Sequence, residues 1–192
     1  SYVDSGVQTA VTGFAQSITS ILDKAATTFG KQAGFSVATG FADDSSSDGA
    51  FGSLMIQRGG QSLLNWNDNR QSRWAPRIFA DGEAGAKEYA AELARSVRTT
   101  LDQIGLPSWA SGILQSLGDA PGLDQLQQAV DQIAQMRTVF SQLGSSLGIT
   151  ESQVVALAQT FGGVDALASS LGSYMSALYS ESDRLKMAQE SL

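Results

Sequence analysis

The chain contains no cysteine, no histidine and only three prolines, and it carries 12 Lys and Arg against 19 Asp and Glu in 192 residues, a formal charge of −7. Each shortage removes a class of chemistry. Without His or Cys there is no Ser-His-Asp triad, no thiolate nucleophile, no zinc site of the usual kinds, no haem or iron–sulfur ligation and no disulfide. Carboxylates are the only side chains left for acid–base work. The small basic complement argues against non-specific nucleic-acid binding, which depends on Lys and Arg neutralising phosphates. No run of about 18 apolar residues occurs, so no segment reads as a membrane-spanning helix. What is present, 42% apolar residues, suits a chain that folds around a real core. The chain starts at Ser1 without a methionine and stops at Leu192 within a helical pattern, from which a fragment of a longer chain is expected.

Periodicity divides the chain into four regions: an N-terminal amphipathic helix (1–30), an antiparallel hairpin region (31–80), a helical region packing on the sheet (81–148) and a C-terminal helical segment (149–192). In the first, Val3, Val7, Val11, Phe14, Ile18, Ile21 and Leu22 recur at helical spacing, and the opposite face is Ser, Thr, Gln and Ala. In the second, Phe35, Val37, Thr39 and Phe41 alternate with small residues, as in a strand with one face buried. A second strand over 51–57 and a third over 61–66 flank Gly59-Gly60, a type I′ hairpin signal. Ala75 to Ala80 is a fourth strand candidate, confined by Pro76 to an edge or a strand start. Asp81 is the expected N-cap of a helix over 82–104 with Tyr89, Leu93, Val97, Leu101 and Ile104 inward. A short helix follows over 107–117. Leu123, Leu126, Val130 and Ile133 then form a seam two heptads long, which suits an intramolecular helical hairpin. Gly144 to Gly148 is expected to break that helix, Thr150 to Gln153 to cap the next, and Gly162-Gly163 to interrupt it before a long amphipathic stretch. The fold class is therefore α+β: a small antiparallel β-meander after an N-terminal helix, then a mainly helical C-terminal half.

Few residues suggest chemistry. Asp44 to Gly49 has the spacing of the first half of a calcium loop, but Met55 stands at the twelfth position, where a bidentate Glu is needed. A solvated turn is the simpler reading. Asp81 with Glu83, or Glu88 with Glu92, could pair as glycosidase carboxylates do, although helix starts and solvated faces ordinarily carry such acids. No catalytic, cofactor-binding or metal-binding residue is assigned. Trp66, Arg73, Trp74 and Arg77 form a basic–aromatic cluster, and exposed aromatics with Arg are favoured at interface centres. They are the candidate interaction residues; the plainer reading is a hairpin flank in which Trp66 and Trp74 cover the sheet and the Arg side chains stay solvated.

Near the C-terminus, Phe161-Gly162-Gly163-Val164-Asp165-Ala166-Leu167 is followed by Ser173-Tyr174 and by Tyr179-Ser180-Glu181-Ser182-Asp183-Arg184. This stretch resembles a segment of phage tail tape-measure proteins, in which an FGG-hydrophobic-DAL turn precedes a helix ending in an aromatic, Ser-Glu and a charged residue before Arg. Phe161, Gly162, Gly163, Asp165, Tyr174, Tyr179, Glu181 and Arg184 carry it. The resemblance implies a non-catalytic structural part that sets tail length and takes part in tail assembly. Its partners would be tail-tube proteins, tail-tip proteins or copies of itself, with host-envelope contact on ejection. It would reside in the lumen of the virion tail, or in the host cytoplasm during assembly. The rival readings are an embedded carboxylate-dependent cell-wall hydrolase and a bacterial surface or secretion-associated interaction module.

Overall fold

The computed structural model describes residues 5–43, 49–66 and 77–162, with 166, 169 and 170 beyond them; side chains are placed from residue 13. The order is α1 (Ser5–Thr28), β1 (Phe35–Asp43), β2 (Ala50–Arg58), β3 (Gln61–Asn65), β4 (Arg77–Phe79), α2 (Gly82–Gln103), α3 (Ser108–Gln115), α4 (Leu123–Leu147) and α5 (Glu151–Thr160). This is the expected α+β class, with a helix, a three-strand antiparallel meander and four further helices. The chain divides into two compact units, residues 1–134 and 135–192.

In the first unit, β1 pairs with the whole of β2, from Phe35 opposite Arg58 to Asp43 opposite Ala50. Gly59 and Gly60 both take positive φ, 59° and 78°, and turn β2 back into β3 as a type I′ pair does. The other edge of β2 is shared. β3 takes Met55 to Arg58, with a register shift between Ile56 and Gln57, and β4 takes Ala50 to Gly52. The meander therefore has a short fourth strand beside its centre, and not after its end. Period-two alternation turns Phe35, Phe41, Leu54 and Ile56 to one face, where α1 supplies Ile18, Ile21, Leu22, Ala25 and Ala26 and α2 supplies Leu93, Ala94, Val97 and Leu101. Leu114 of α3 and Leu126, Val130 and Ile133 of α4 extend the same core. Polar contacts fix the helices around it: Lys24 of α1 meets Asp131 of α4 at 2.5 Å, and Arg98 of α2 donates to the Gly118 carbonyl after α3.

Tyr89 joins α2 to the sheet. It is 1% exposed. Its hydroxyl donates to the Ser53 carbonyl at 2.8 Å and accepts from the Gly40 amide at 3.2 Å, and Gly40 and Ser53 are partners across β1 and β2. The ring needs a hole in the sheet, and glycine provides it. A Cβ on Gly52 would lie 2.7 Å from Tyr89 and 2.6 Å from Phe79. Around the phenol stand Phe41, Phe79 and Trp66, with ring centroids 5.1, 5.7 and 5.9 Å away.

Two local expectations are refined. Asp81 occupies the N-cap position of α2 without capping it: its Oδ1 accepts from the Gly49 amide at 3.2 Å, tying the helix start to the strand start. The break expected over Gly144 to Gly148 falls at the end of that range, since α4 continues through Gly144 to Leu147. The reversal comes at Gly148, φ 67°, with the Ile149 amide donating back to the Gly144 carbonyl at 3.0 Å. Gly144 is needed because the returning chain passes close: a Cβ there would sit 2.8 Å from the Ile149 carbonyl. In the second unit, α5 begins with the expected capping box, Thr150 and Gln153 each bonding the other's backbone amide. Arg137 pairs with Glu151 across the turn at 3.0 Å.

Two glycine substitutions should act in opposite senses. A Cβ on Gly85 would fall 1.6 Å from the Ala80 carbonyl oxygen, so Gly85→Ala should cost about 3 kcal/mol or more. Gly112 in α3 meets nothing within 4 Å, so Gly112→Ala should add about 0.5–1 kcal/mol. Urea denaturation reads both. Burial pushes the Tyr89 hydroxyl well above the ordinary tyrosine value, outweighing the Gly40 and Thr39 hydrogen bonds that lower it. The folded state thus holds the proton more tightly than the unfolded chain. The contribution is complete below about pH 10 and is lost as pH rises from there toward the folded-state value. Tyr89→Phe should cost about 1–3 kcal/mol at pH 7 and should flatten the fall in stability between pH 9 and 11.

Candidate interaction site

The sequence cluster centred on Trp66 is built from the end of β3, the start of β4 and the middle of α2. Trp66 follows β3 and is only 9% exposed. Its Nε1 donates to Ser96 Oγ at 3.1 Å, satisfying the indole inside the core. The expectation of an exposed Trp66 is therefore corrected: the ring fills the space beneath Phe79 and Tyr89 and is not offered as a contact surface. Arg77, the first residue of β4, lies over this ring with its guanidinium carbon 4.3 Å from the centroid. The same guanidinium reaches Glu92 Oε2 at 2.7 Å, and Glu92 also holds Arg95 one turn along α2. The Arg77 side chain remains about half exposed. Arg73 and Trp74 lie outside the described residues.

A groove of about 480 Å³ runs beside this cluster, lined by Arg77, Ile78 and Phe79 of β4 and Glu88, Ala91, Glu92 and Arg95 of α2. It presents both signs of charge, and its lining is more polar than apolar. Glu88 and Glu92 share it, as their i,i+4 spacing implies. Both oxygens of Glu92 are taken by guanidinium donors, so this carboxylate holds β4 to α2. Of the other acid pair, Asp81 is engaged by Gly49 and Glu83 is exposed. Ser96 was not singled out from sequence, and Glu92 was weighed there only as a partner for Glu88. The Glu92–Arg95 spacing was visible there, but nothing local reveals that Ser96 faces an indole thirty residues away.

The tape-measure-like stretch enters the described residues only at its start. Phe161 closes α5 and is 58% exposed, and Gly162 follows with φ 94°, its amide donating to the Gln159 carbonyl at 3.4 Å. Gly163, Asp165, Tyr174, Tyr179, Glu181 and Arg184 lie outside the described residues, as do Asp44 to Asp48 of the calcium-like turn. Met55, the twelfth position of that pattern, sits within β2. Among the described residues no three acidic side chains group as a metal site, and no helix is long and apolar enough to cross a membrane.

Arg77 combines a cation–π contact with an ion pair, both partly in solvent, which limits their worth. Arg77→Ala should cost about 0.5–1.5 kcal/mol in urea denaturation and raise acrylamide quenching of tryptophan fluorescence, whereas Arg95→Ala should leave the quenching unchanged. The chain matches no protein-family model, no curated protein and no solved structure.

Proposed function

We propose that the chain is a non-catalytic structural segment of a phage tail, of the tape-measure kind, acting through packing and assembly. The observation that carries this reading is the Phe161-Gly162 turn. The motif resemblance calls for a helix stop at that point, and α5 does stop there, with a glycine in the left-handed region and an aromatic standing in solvent. The exposed Phe161 ring is one apolar side chain that a neighbouring protein could cover. The composition agrees, since a chain without His or Cys has little but carboxylates for catalysis. The carboxylates themselves do not favour the hydrolase reading, because Glu92 is clamped by two guanidiniums and Asp81 by a backbone amide. The partners would be tail-tube or tail-tip proteins or further copies, within the tail lumen or in the host cytoplasm during assembly.

Mass spectrometry of tail particles purified from the producing strain tests this. Peptides from both sides of Phe161 should be recovered from assembled tails. Complete tails lacking every peptide of the chain would overturn the reading.

A further inference from the structure

The sheet has a second face, turned away from α1 and α2, and its residue pattern is unusual. Alternation along β1 puts Ser36, Ala38, Gly40 and Ala42 on it, all small. Along the neighbouring row it carries Phe51 and Met55 of β2 and Ile78 of β4, and Phe51 and Ile78 are direct partners. Uncharged polar residues fill the rest, so the face holds no charged side chain among the described residues. Ile78 is 69% and Phe51 38% exposed. An antiparallel sheet with one face in water normally carries polar and charged residues there. This face is a furrow of small side chains beside a ridge of large apolar ones.

We propose that this face is a homodimer interface, on which a second copy of the chain packs sheet to sheet about a two-fold axis. A two-fold interface must be complementary to itself. Ridge and furrow side by side meet that condition: the Phe51–Ile78 ridge of one copy lies over the Ser36–Ala42 furrow of the other. Charge selects the same arrangement. Two chains of net charge −7 repel, and an uncharged patch is where they approach at least electrostatic cost. The size of the face sets the strength. Three strand rows about 14 Å wide and roughly 30 Å long give on the order of 400 Å² per copy in projection. The total falls at or below the low end of specific interfaces, roughly 1,200 Å², so the dimer is weak and reversible. The inference does not rest on the tail reading.

Sedimentation equilibrium of the full chain from about 5 to 500 µM, the range a weak interface of this size spans, tests it. A reversible monomer–dimer equilibrium is expected. Ile78→Lys on the ridge and Ala38→Arg in the furrow should each weaken association at least tenfold, and Gln128→Lys, on an exposed position of α4, should not. Far-UV circular dichroism and the melting temperature check that each variant folds; a variant that fails is replaced by its neighbour on the same feature, Phe51→Lys or Ala42→Arg. A chain that stays monomeric throughout, or a dimer that either the ridge or the furrow variant leaves intact, would overturn the proposal.

Discussion

The phenol of Tyr89 fixes two relationships at once, that of α2 to the sheet and that of β1 to β2. Its ring can lie against the sheet only because residue 52 has no side chain, and its hydroxyl bridges a carbonyl and an amide of facing strands. A buried hydroxyl with both bonds made adds about 1 kcal/mol each, but its larger effect is on specificity, because any other placement leaves polar groups dry and unpaired. Phe41, Phe79 and Trp66 then find their places by packing around a ring that is already fixed. Trp66 in turn donates to Ser96, which lies on α2 as Tyr89 does. Arg77 closes the sequence by covering the indole and gripping Glu92.

Much of this was legible in the residues. Alternation in β1, the double-glycine turn, the inward face of α2 and the Thr150–Gln153 box are local patterns, and local patterns are what a sequence displays. Long-range choices were not. Nothing near Ala75 to Ala80 states that the strand joins the centre of the sheet, since that depends on which edge of β2 is left open after β3 has paired. Trp66 could be read from sequence as a contact residue or as a ring covering the sheet; its burial is decided by Ser96 and Tyr89 on another element. Within the Gly144–Gly148 break, the turn is made by Gly148, whereas Gly144 stays helical and makes room for the returning chain. Asp81 had the position of a cap, but the Gly49 amide competes for its carboxylate.

The two faces of the sheet differ in kind. On the helix side, charges are present and answer one another, as Arg77, Glu92 and Arg95 do. On the other side, charge is absent among the described residues and relief takes its place. A face of the first kind is finished within the chain, because its donors and acceptors are already engaged. A face of the second kind holds unspent apolar area, which gains by leaving water.

Trp66 and Arg77 also bracket the stretch between β3 and β4. The indole is anchored in the core and the guanidinium rests on it, so residues 66 and 77 are held together by a direct contact. Closing a longer loop between fixed ends costs little, about 0.6 kcal/mol for each doubling of length. Length added between residues 66 and 77 is therefore expected to leave the pairing of β2 with β3 and β4 in register.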